Sequence, residues 1–459
     1  MSDLPDLSAG ELVALVARGE ASCVEVLGAH LDRIDALNPR VNAIVGRRDR
    51  ADVLAEAAAR DRVPRDGAER GPLHGLPIAV KDLSEVAGLS WTQGSPIFRD
   101  QVGAVDEPFV ARLRAAGAVV VGKTNTPEMG FGSQTFNPVH GATRNPYDLG
   151  RTIGGSSGGA AAALAARMLP IADGSDYMGS LRNPAAFGNV LGFRPTAGTV
   201  VPPGPIAQLG ELGPMGRTVA DVARLLGVMA ARPPAELDGP VAGTRVAWVG
   251  DLGGRLATEP GVLELGRRAA DVFAGLDCVV EEHVPAFDLD ELWDAFLVWR
   301  GLHALELAPL HADPALRAQL KPEVVWEVEH GLAYTALDVS RAAAVRQRWV
   351  EAVGALFERF DAVLAPSTQV FPFAVTTPWP EVVDGRRMDT YHRWMETVMP
   401  WSMAGTPVLG MPAGFDTRGL PTGVQLVGPA GADHAVLRLG RAYEEATQWV
   451  ARYPPVIVS

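Results

Sequence analysis

Short apolar runs rich in β-branched residues alternate with stretches of helical periodicity along this chain, and that alternation limits the folds open to it. LPIAVKD (76–82), AVVVGK (118–123), VAWVG (246–250), CVVEEHV (278–284), DAVLAPS (361–367), PVLGMPA (407–413) and GVQLVGP (423–429) have the length and composition of buried strands. Between them lie segments such as CVEVLGAHLDRIDAL and HAVLRLGRAYEEATQ, whose apolar residues recur at helical spacing. Ser8 and Ser22 are placed to cap the first two helices. Strands of this kind need cover on both faces, so the pattern predicts an α/β protein with helices on either side of its sheet.

The 459 residues set a prior of about three domains. No repeat or low-complexity linker cuts the chain, despite 50 Gly and 36 Pro, so a single domain over 1–459 is expected. Within it, helices occupy 1–65 and a core segment runs from 66 to 235. Residues 285–405 have a different texture and hold Trp293, Trp299, Trp326, Trp349, Trp379, Trp394 and Trp401. Most of these rings read as core filling. The alternative is a substrate-facing cover over the sheet.

The net charge of −13 argues against nucleic acid, which calls for a basic face. Cys23 and Cys278 are too few for a disulfide framework and read as buried thiols in a reducing compartment. The N-terminal MSDLPDLSAGE has neither the basic nor the apolar region of a secretory signal. The run AAAALAARMLPIA is interrupted by Arg167 and Pro170 and is too short for a membrane span. A cytoplasmic protein without a membrane partner is expected.

Residues 154–182, GGSSGGAAAALAARMLPIADGSDYMGSLR, contain two glycine-flanked serines, Ser156 and Ser180. GGSSG fits the G-x-S-x-G elbow of α/β-hydrolases, and His283, His303, His311, His330, His392 and His434 follow it in the required order. Against that, the preceding NPYDLGRTI reads as loop rather than strand, and no HGGG-type segment lies upstream. Taken alone, GGSSGG also reads as a plain helix start, with serine as the cap. Lys81, at the end of the apolar run PIAVK, changes the balance. It either snorkels to solvent or pairs with Asp82, or it is a desolvated, neutral amine able to accept a proton. Lys81, Ser156 and Ser180 would then supply base, relay and nucleophile without a histidine.

In these segments the chain resembles the amidase signature family. The resemblance rests on GLPIAVKD, ARLRAAGAVVVGKTNTPEMGFG, RNPYDLGRTIGGSSGGAAAALAA, SDYMGSLRNPAAFGNVLGFRPT, LGPMGRTVADVARLL and MAGTPVLGMPAGFDTRGLPTGVQLVG. It includes a second serine 24 residues (180 minus 156) after the first. The resemblance implies a large mixed central β-sheet covered by helices on both faces. It also implies an acyl-enzyme on Ser180, with Ser156 behind a cis peptide bond as relay and Lys81 as base. The N–H groups of Tyr177, Met178, Gly179 and Ser180 would form the oxyanion hole, supported by Ser175, Asp176 and Arg182.

This chemistry explains the residue types. An amide carbonyl is a poor electrophile, so the serine must be activated and the oxyanion stabilised. A lysine serves as base near neutral pH only if burial lowers its pKa from ~10.4. The chain departs from the family in one place: DYMGS has Tyr177 and Met178 where glycines are usual. Backbone donors survive the change, but a positive φ at Met178 would strain the loop. Met178 and Trp401 are candidate substrate contacts.

The implied substrate is a small amide, or an ester or carbamate that shares the acyl-serine route, and the aromatic stretch MDTYHRWMETVMPWS favours bulky uncharged groups. The alternative is a glutaminase subunit of a glutamine-dependent tRNA amidotransferase, with a partner protein and a carboxylate-reading pocket. A third reading is a relative that only binds. No cofactor or metal is expected: His303 and His311 lack a zinc pattern, FDLDELWD (287–294) reads as an acidic helix start, and GGSSGG lacks a phosphate-loop ending. The sequence is compatible with a homodimer.

Overall fold

The computed structural model describes residues 3–64, 70–202 and 209–458. The expected segment boundary at 65–66 falls outside the described residues. Helices α1 (Ala9–Arg18) and α2 (Cys23–Val41) open the chain, each behind the serine expected as its cap. Ser8 accepts from the Glu11 N–H and Ser22 from the Glu25 N–H, and each glutamate reaches back in a reciprocal capping box.

A three-stranded sheet follows, in the order β1 (Ile44–Val45), β3 (Val119–Thr124), β2 (Pro77–Lys81). β2 and β3 are parallel and buried throughout. The larger sheet is built from β4 (Ile171–Asp176), β5 (Leu191–Arg194), β6 (Glu211–Gly216), β7 (Arg245–Trp248), β8 (Val279–Glu282), β9 (Ala362–Pro366), β10 (Val408–Phe415) and β11 (Pro421–Val427). Its order is β8-β7-β9-β11-β10-β5-β6-β4. Pairing is parallel from β8 to β9 and antiparallel from β9 to β4, so the sheet is mixed, as expected.

All seven strands expected from apolar runs are present, within a residue or two of the expected bounds. β4, β5 and β6 are additions. Their sequences IADGSD, LGFR and ELGPMG are rich in turn-type residues, and it is tertiary pairing that makes them strands. The stretch NPYDLGRTI is not simply a loop. It contains all but Arg144 of a short hairpin, Arg144–Asn145 against Asp148–Thr152, which turns at Pro146 and Tyr147.

At the seam between the sheets, the backbone N–H of Lys81 on β2 donates to the Asp173 carboxylate on β4, at 3.1 Å to one oxygen. Helix α3 (Gly158–Ala165) lies in the core and is buried on every side. Helix α4 (Arg182–Gly188) is also wholly buried. Over the other end of the large sheet, α5 (Leu289–Ala304) and α7 (Ala336–Arg359) enclose a second apolar cluster, while α6 (Pro322–Ala333) packs against α5 and contributes Val324 and Val328 to a smaller one. Trp293, Trp299, Trp349, Trp394 and Trp401 are buried there, as core-filling rings. The acidic start of α5 is a cap: Asp288 accepts from the N–H groups of Asp290 and Glu291. Both cysteines are free and buried, and burial pushes the Cys23 thiol up to about 12.

Candidate active site

Lys81 is the last residue of β2, where the apolar strand carries its side chain into the interior. It neither snorkels nor pairs with Asp82. Asp82 instead accepts from Thr92 Oγ1 at 2.5 Å and lies 3.7 Å from a second buried lysine, Lys123. The Nζ of Lys81 donates to Ser156 Oγ at 2.7 Å and to Ser157 Oγ and Ser175 Oγ at 2.9 Å. Three hydroxyl acceptors match the three donors of an ammonium group. Burial lowers its pKa to about 7, although the Asp173 and Asp176 carboxylates favour the charged form.

Ser156 and Ser157 lie at the turn into α3, and the Gly155–Ser156 peptide bond is cis. Ser157 stands at the N-cap of α3 but makes no capping bond. Its hydroxyl donates to the Ser175 carbonyl at 3.3 Å. Gly174 makes that approach feasible, because a Cβ there would lie 2.6 Å from Ser157 Oγ. The turn is pinned from outside: Ser133 Oγ donates to the Gly155 carbonyl at 2.6 Å and Thr135 Oγ1 to the Gly154 carbonyl at 2.8 Å.

Ser180 lies between β4 and α4 and is half-buried. Its carbonyl accepts the Ser157 N–H at 3.1 Å, which ties the two serine loops together. Of the four N–H groups expected to face an oxyanion, that of Gly179 donates to Asp176 Oδ1 at 2.7 Å. Those of Tyr177, Met178 and Ser180 have no partner among the described residues. Asp176 also accepts from the Leu181 N–H and pairs with Arg182 at 2.8 Å, both side chains fully buried. Burial alone would raise the Asp176 carboxyl, but the Arg182 and Arg194 guanidiniums hold it far below the usual carboxylate range. Arg182 further donates to the Val398 carbonyl, Gln425 Oε1 and Ser402 Oγ.

Tyr177 and Met178 fit the loop without strain. Neither has a positive φ; Gly179 does, at 84°. The Tyr177 ring stacks on His303 at 4.8 Å and its hydroxyl donates to the Trp299 carbonyl at 2.8 Å. Met178 lines a cavity of about 240 Å³ together with Ser156, Ser175 and Ser180. Trp401 is not brought there. It is 1% exposed and packs on Trp349 in the core. From the stretch 388–402, the residues that reach the cavity are Tyr391, His392 and Met395.

The far wall of the cavity comes from α5, within the segment 285–405 read as a possible cover, but through Arg300 and His303 rather than through its tryptophans, and α6 supports Arg300 from behind. The Arg300 guanidinium lies over the rings of Phe131 (4.3 Å) and Tyr177 (5.0 Å) and donates to Glu327 at 3.0 Å. Tyr391 donates to the same Glu327 oxygen at 2.6 Å, and His392 Nε2 stands 3.3 Å from it. His303 and His392 line the cavity, yet among the described residues no histidine hydrogen-bonds either serine. Burial holds His303 low, at about 4. A histidine-dependent elbow is therefore not assembled around Ser156. Among the described residues no group of three or more His, Cys, Asp or Glu gathers where a metal ion would sit.

Comparison with known proteins gives the same picture along nearly the whole chain. Residues 25–437 match the Amidase family model. The chain is 34% identical to an acylamidase of Rhodococcus erythropolis, over 98% of this chain and 97% of that protein. It is 37% identical to the A subunit of the glutamyl-tRNA(Gln) amidotransferase of Thermus thermophilus, over 96% and 97%. Among solved structures, a bacterial aryl acylamidase of the amidase signature family superposes with a TM-score of 0.90 at 27% identity, covering 99% of this chain and 98% of that one. No helix among the described residues is long and apolar enough to cross a membrane. The mixed sheet, the serine-rich turns that meet at Lys81 and the extent of these matches place the chain in the amidase signature family, whose members hydrolyse amide C–N bonds.

Proposed function

We propose that this chain hydrolyses small, largely uncharged linear amides through an acyl-enzyme on Ser180, with Ser156 as proton relay and Lys81 as base. The observation that carries the reading is the 2.7 Å contact between Lys81 Nζ and Ser156 Oγ, buried beneath the cavity onto which Ser180 opens. A neutral amine keeps two donors and gains a lone pair, so one of the three surrounding hydroxyls must turn its proton toward Nζ. Ser157 directs its own to the Ser175 carbonyl. Ser156 is the nearest of the three and borders the cavity. As Ser156 gives its proton to Lys81, it takes one from Ser180, whose Oγ attacks the carbonyl. The N–H groups of Tyr177, Met178 and Ser180, without a partner among the described residues, would receive the oxyanion. In reverse, the relay protonates the leaving nitrogen, and water repeats the cycle on the acyl-serine. Esters and carbamates share this route.

Leu83, Met129, Met178, Val201, Leu212 and Met395 give the cavity a largely apolar lining. An apolar cavity of roughly 150 Å³ accepts benzene, so one aryl or short acyl group fits a space of about 240 Å³. The Trp-rich segment 285–405 supplies much of the cover, through Arg300, His303, Tyr391, His392 and Met395.

The identity to amidotransferase A subunits favours a second reading, glutamine hydrolysis for a partner protein. It needs a cation free to read the substrate carboxylate. Arg300, the arginine at the cavity, is already paired with Glu327. Release of ammonia from glutamine, compared with turnover of an aryl amide, separates the two.

The central test is covalent labelling. Trypsin cleavage after Arg151, Arg167 and Arg182 puts Ser156 and Ser180 in separate peptides, TIGGSSGGAAAALAAR and MLPIADGSDYMGSLR. A serine-directed fluorophosphonate is expected on Ser180. Label on Ser156 would reverse the assignment, and no label on either serine would bring a binding-only relative to the front.

A further inference from the structure

The ring nitrogens His303 Nδ1 and His392 Nε2 border the cavity without a hydrogen-bond partner among the described residues, but the charged groups at and beneath it find partners within the protein, with one exception. Lys81 has its three hydroxyls, Asp176 has Arg182, and Arg300 has Glu327 and Tyr391. Glu211 differs. It opens β6 directly across from Asp176 of β4 and borders the cavity with Tyr177, Ser180 and Leu212. Its side chain is 6% exposed. Oε1 accepts the Gly198 N–H at 3.1 Å, whereas Oε2 is buried with no hydrogen-bond partner among the described residues.

The nearest strong charge does not complete it. Arg194 acts on Glu211 through space, but its Nη1 donates to the Asp176 carbonyl and stands 3.9 Å from the Asp176 carboxylate. Among the described residues Glu211 has no ion pair. Burial pushes its carboxyl up to about 7, despite the pull of Arg194 and the Gly198 N–H. A buried acceptor without a donor is costly in the free protein, and that cost is relieved when a ligand supplies the donor.

We propose that Glu211 Oε2 is a substrate subsite that accepts a hydrogen bond from an N–H or O–H group carried close to the scissile carbonyl. The inference rests on the amidase reading of the same cavity and modifies its substrate class, adding one such donor group, charged or neutral, to an otherwise apolar amide. An ammonium and a hydroxyl both qualify, and the test separates them.

The probes are three 4-nitroanilides with acyl groups of equal size: propionyl, glycyl and glycolyl. The first offers no donor at the acyl terminus, the second an ammonium and the third a hydroxyl. In the wild-type protein the donor-bearing substrates are expected to exceed propionyl in kcat/KM by roughly tenfold to hundredfold, the range for one hydrogen bond to a charged group. In Glu211→Gln and Glu211→Leu the ratio to propionyl should collapse toward one, whatever the overall rate of each variant. Loss of the glycyl ratio alone assigns an ammonium, and loss of both assigns any donor.

Wild-type ratios near one, or ratios unchanged in both variants, overturn the subsite and leave Glu211 as a partner of Arg194 alone. Phosphonylation of wild-type Ser180 by a fluorophosphonate reads the amidase assignment separately. Without label that assignment falls and takes the subsite with it. With label and unchanged ratios, the subsite falls alone.

Discussion

Lys81 Nζ stands 2.7 Å from Ser156 Oγ, and both side chains are buried. At that distance the protonation state of the amine decides which way the hydroxyl proton points. Burial puts the Lys81 pKa at about 7, so the neutral form that can take a proton dominates above that pH and is lost as pH falls through it. A plot of kcat/KM against pH on an uncharged anilide should bend downward near 7 on the acid side. Lys81→Met should lose about 10²- to 10⁴-fold, the contribution of a general base. A wild-type profile flat from pH 5 to 8 would remove Lys81 from the role.

The same burial has a consequence for stability. The folded pKa lies below the unfolded one, so between about 7 and ~10.4 the unfolded chain binds more protons. The penalty is present in full below about pH 7 and fades as pH rises toward the unfolded value. Lys81→Met should therefore gain stability over wild type at pH 6 and lose most of that advantage by pH 10. Thermal unfolding of both proteins across that range checks it. A difference independent of pH would contradict it.

Ser157 and Ser175 each accept one of the hydrogen bonds from Lys81 Nζ, at 2.9 Å. Removing either acceptor withdraws about 1.5–3 kcal/mol from the charged amine. The neutral amine needs fewer acceptors and loses less, so the Lys81 pKa falls further. Ser157→Ala and Ser175→Ala should move the acid limb of the pH profile to lower pH as well as reducing kcat. A purely structural role would reduce activity without moving the limb.

The site was legible in sequence where chemistry forces an unusual residue. A lysine at the end of PIAVK and two serines among glycines stand out because apolar strands rarely carry a charge inward. Ser157 does not stand out: beside Ser156 it looks like a cap, and only the approach of β4 at Gly174 gives it another partner. The strands follow the same rule. Val-rich runs announce seven of them, whereas IADGSD becomes a strand only by pairing with β6. Arg300 and Glu211 reach the cavity from segments remote in sequence, and Glu327 holds Arg300 from behind; no local period marks any of them. Trp401 illustrates the converse, since a suggestive aromatic stretch sends that ring into the core and Tyr391, His392 and Met395 to the cavity.

Arg182 and Asp176 form a fully buried ion pair at 2.8 Å beneath the nucleophile loop. Asp176 in turn holds the N–H groups of Gly179 and Leu181. Arg182→Leu leaves the carboxylate buried with only the more distant Arg194 and should cost about 3–5 kcal/mol in urea unfolding. Arg182→Lys should recover little of this, because a single ammonium cannot reproduce the fork that reaches Asp176, Ser402, Gln425 and the Val398 carbonyl. Stability equal to wild type in either variant would show that the pair is dispensable.

Met178 occupies a loop position with no positive φ, so nothing in the backbone calls for glycine there, and its side chain lines the cavity. Its length therefore acts on the substrate rather than on the fold of the loop. Met178→Gly deletes that side chain and enlarges the space beside Ser180. Each methylene of acyl chain newly buried is worth about 0.8 kcal/mol, close to fourfold in kcat/KM. Across a series of 4-nitroanilides from acetyl to hexanoyl, the variant should shift its optimum toward longer chains while losing rate on acetyl, where the cavity is now underfilled. An unchanged ranking of the series would mean that Met178 does not border the acyl group, and would move the acyl site toward other apolar residues of the lining such as Leu83 and Met129.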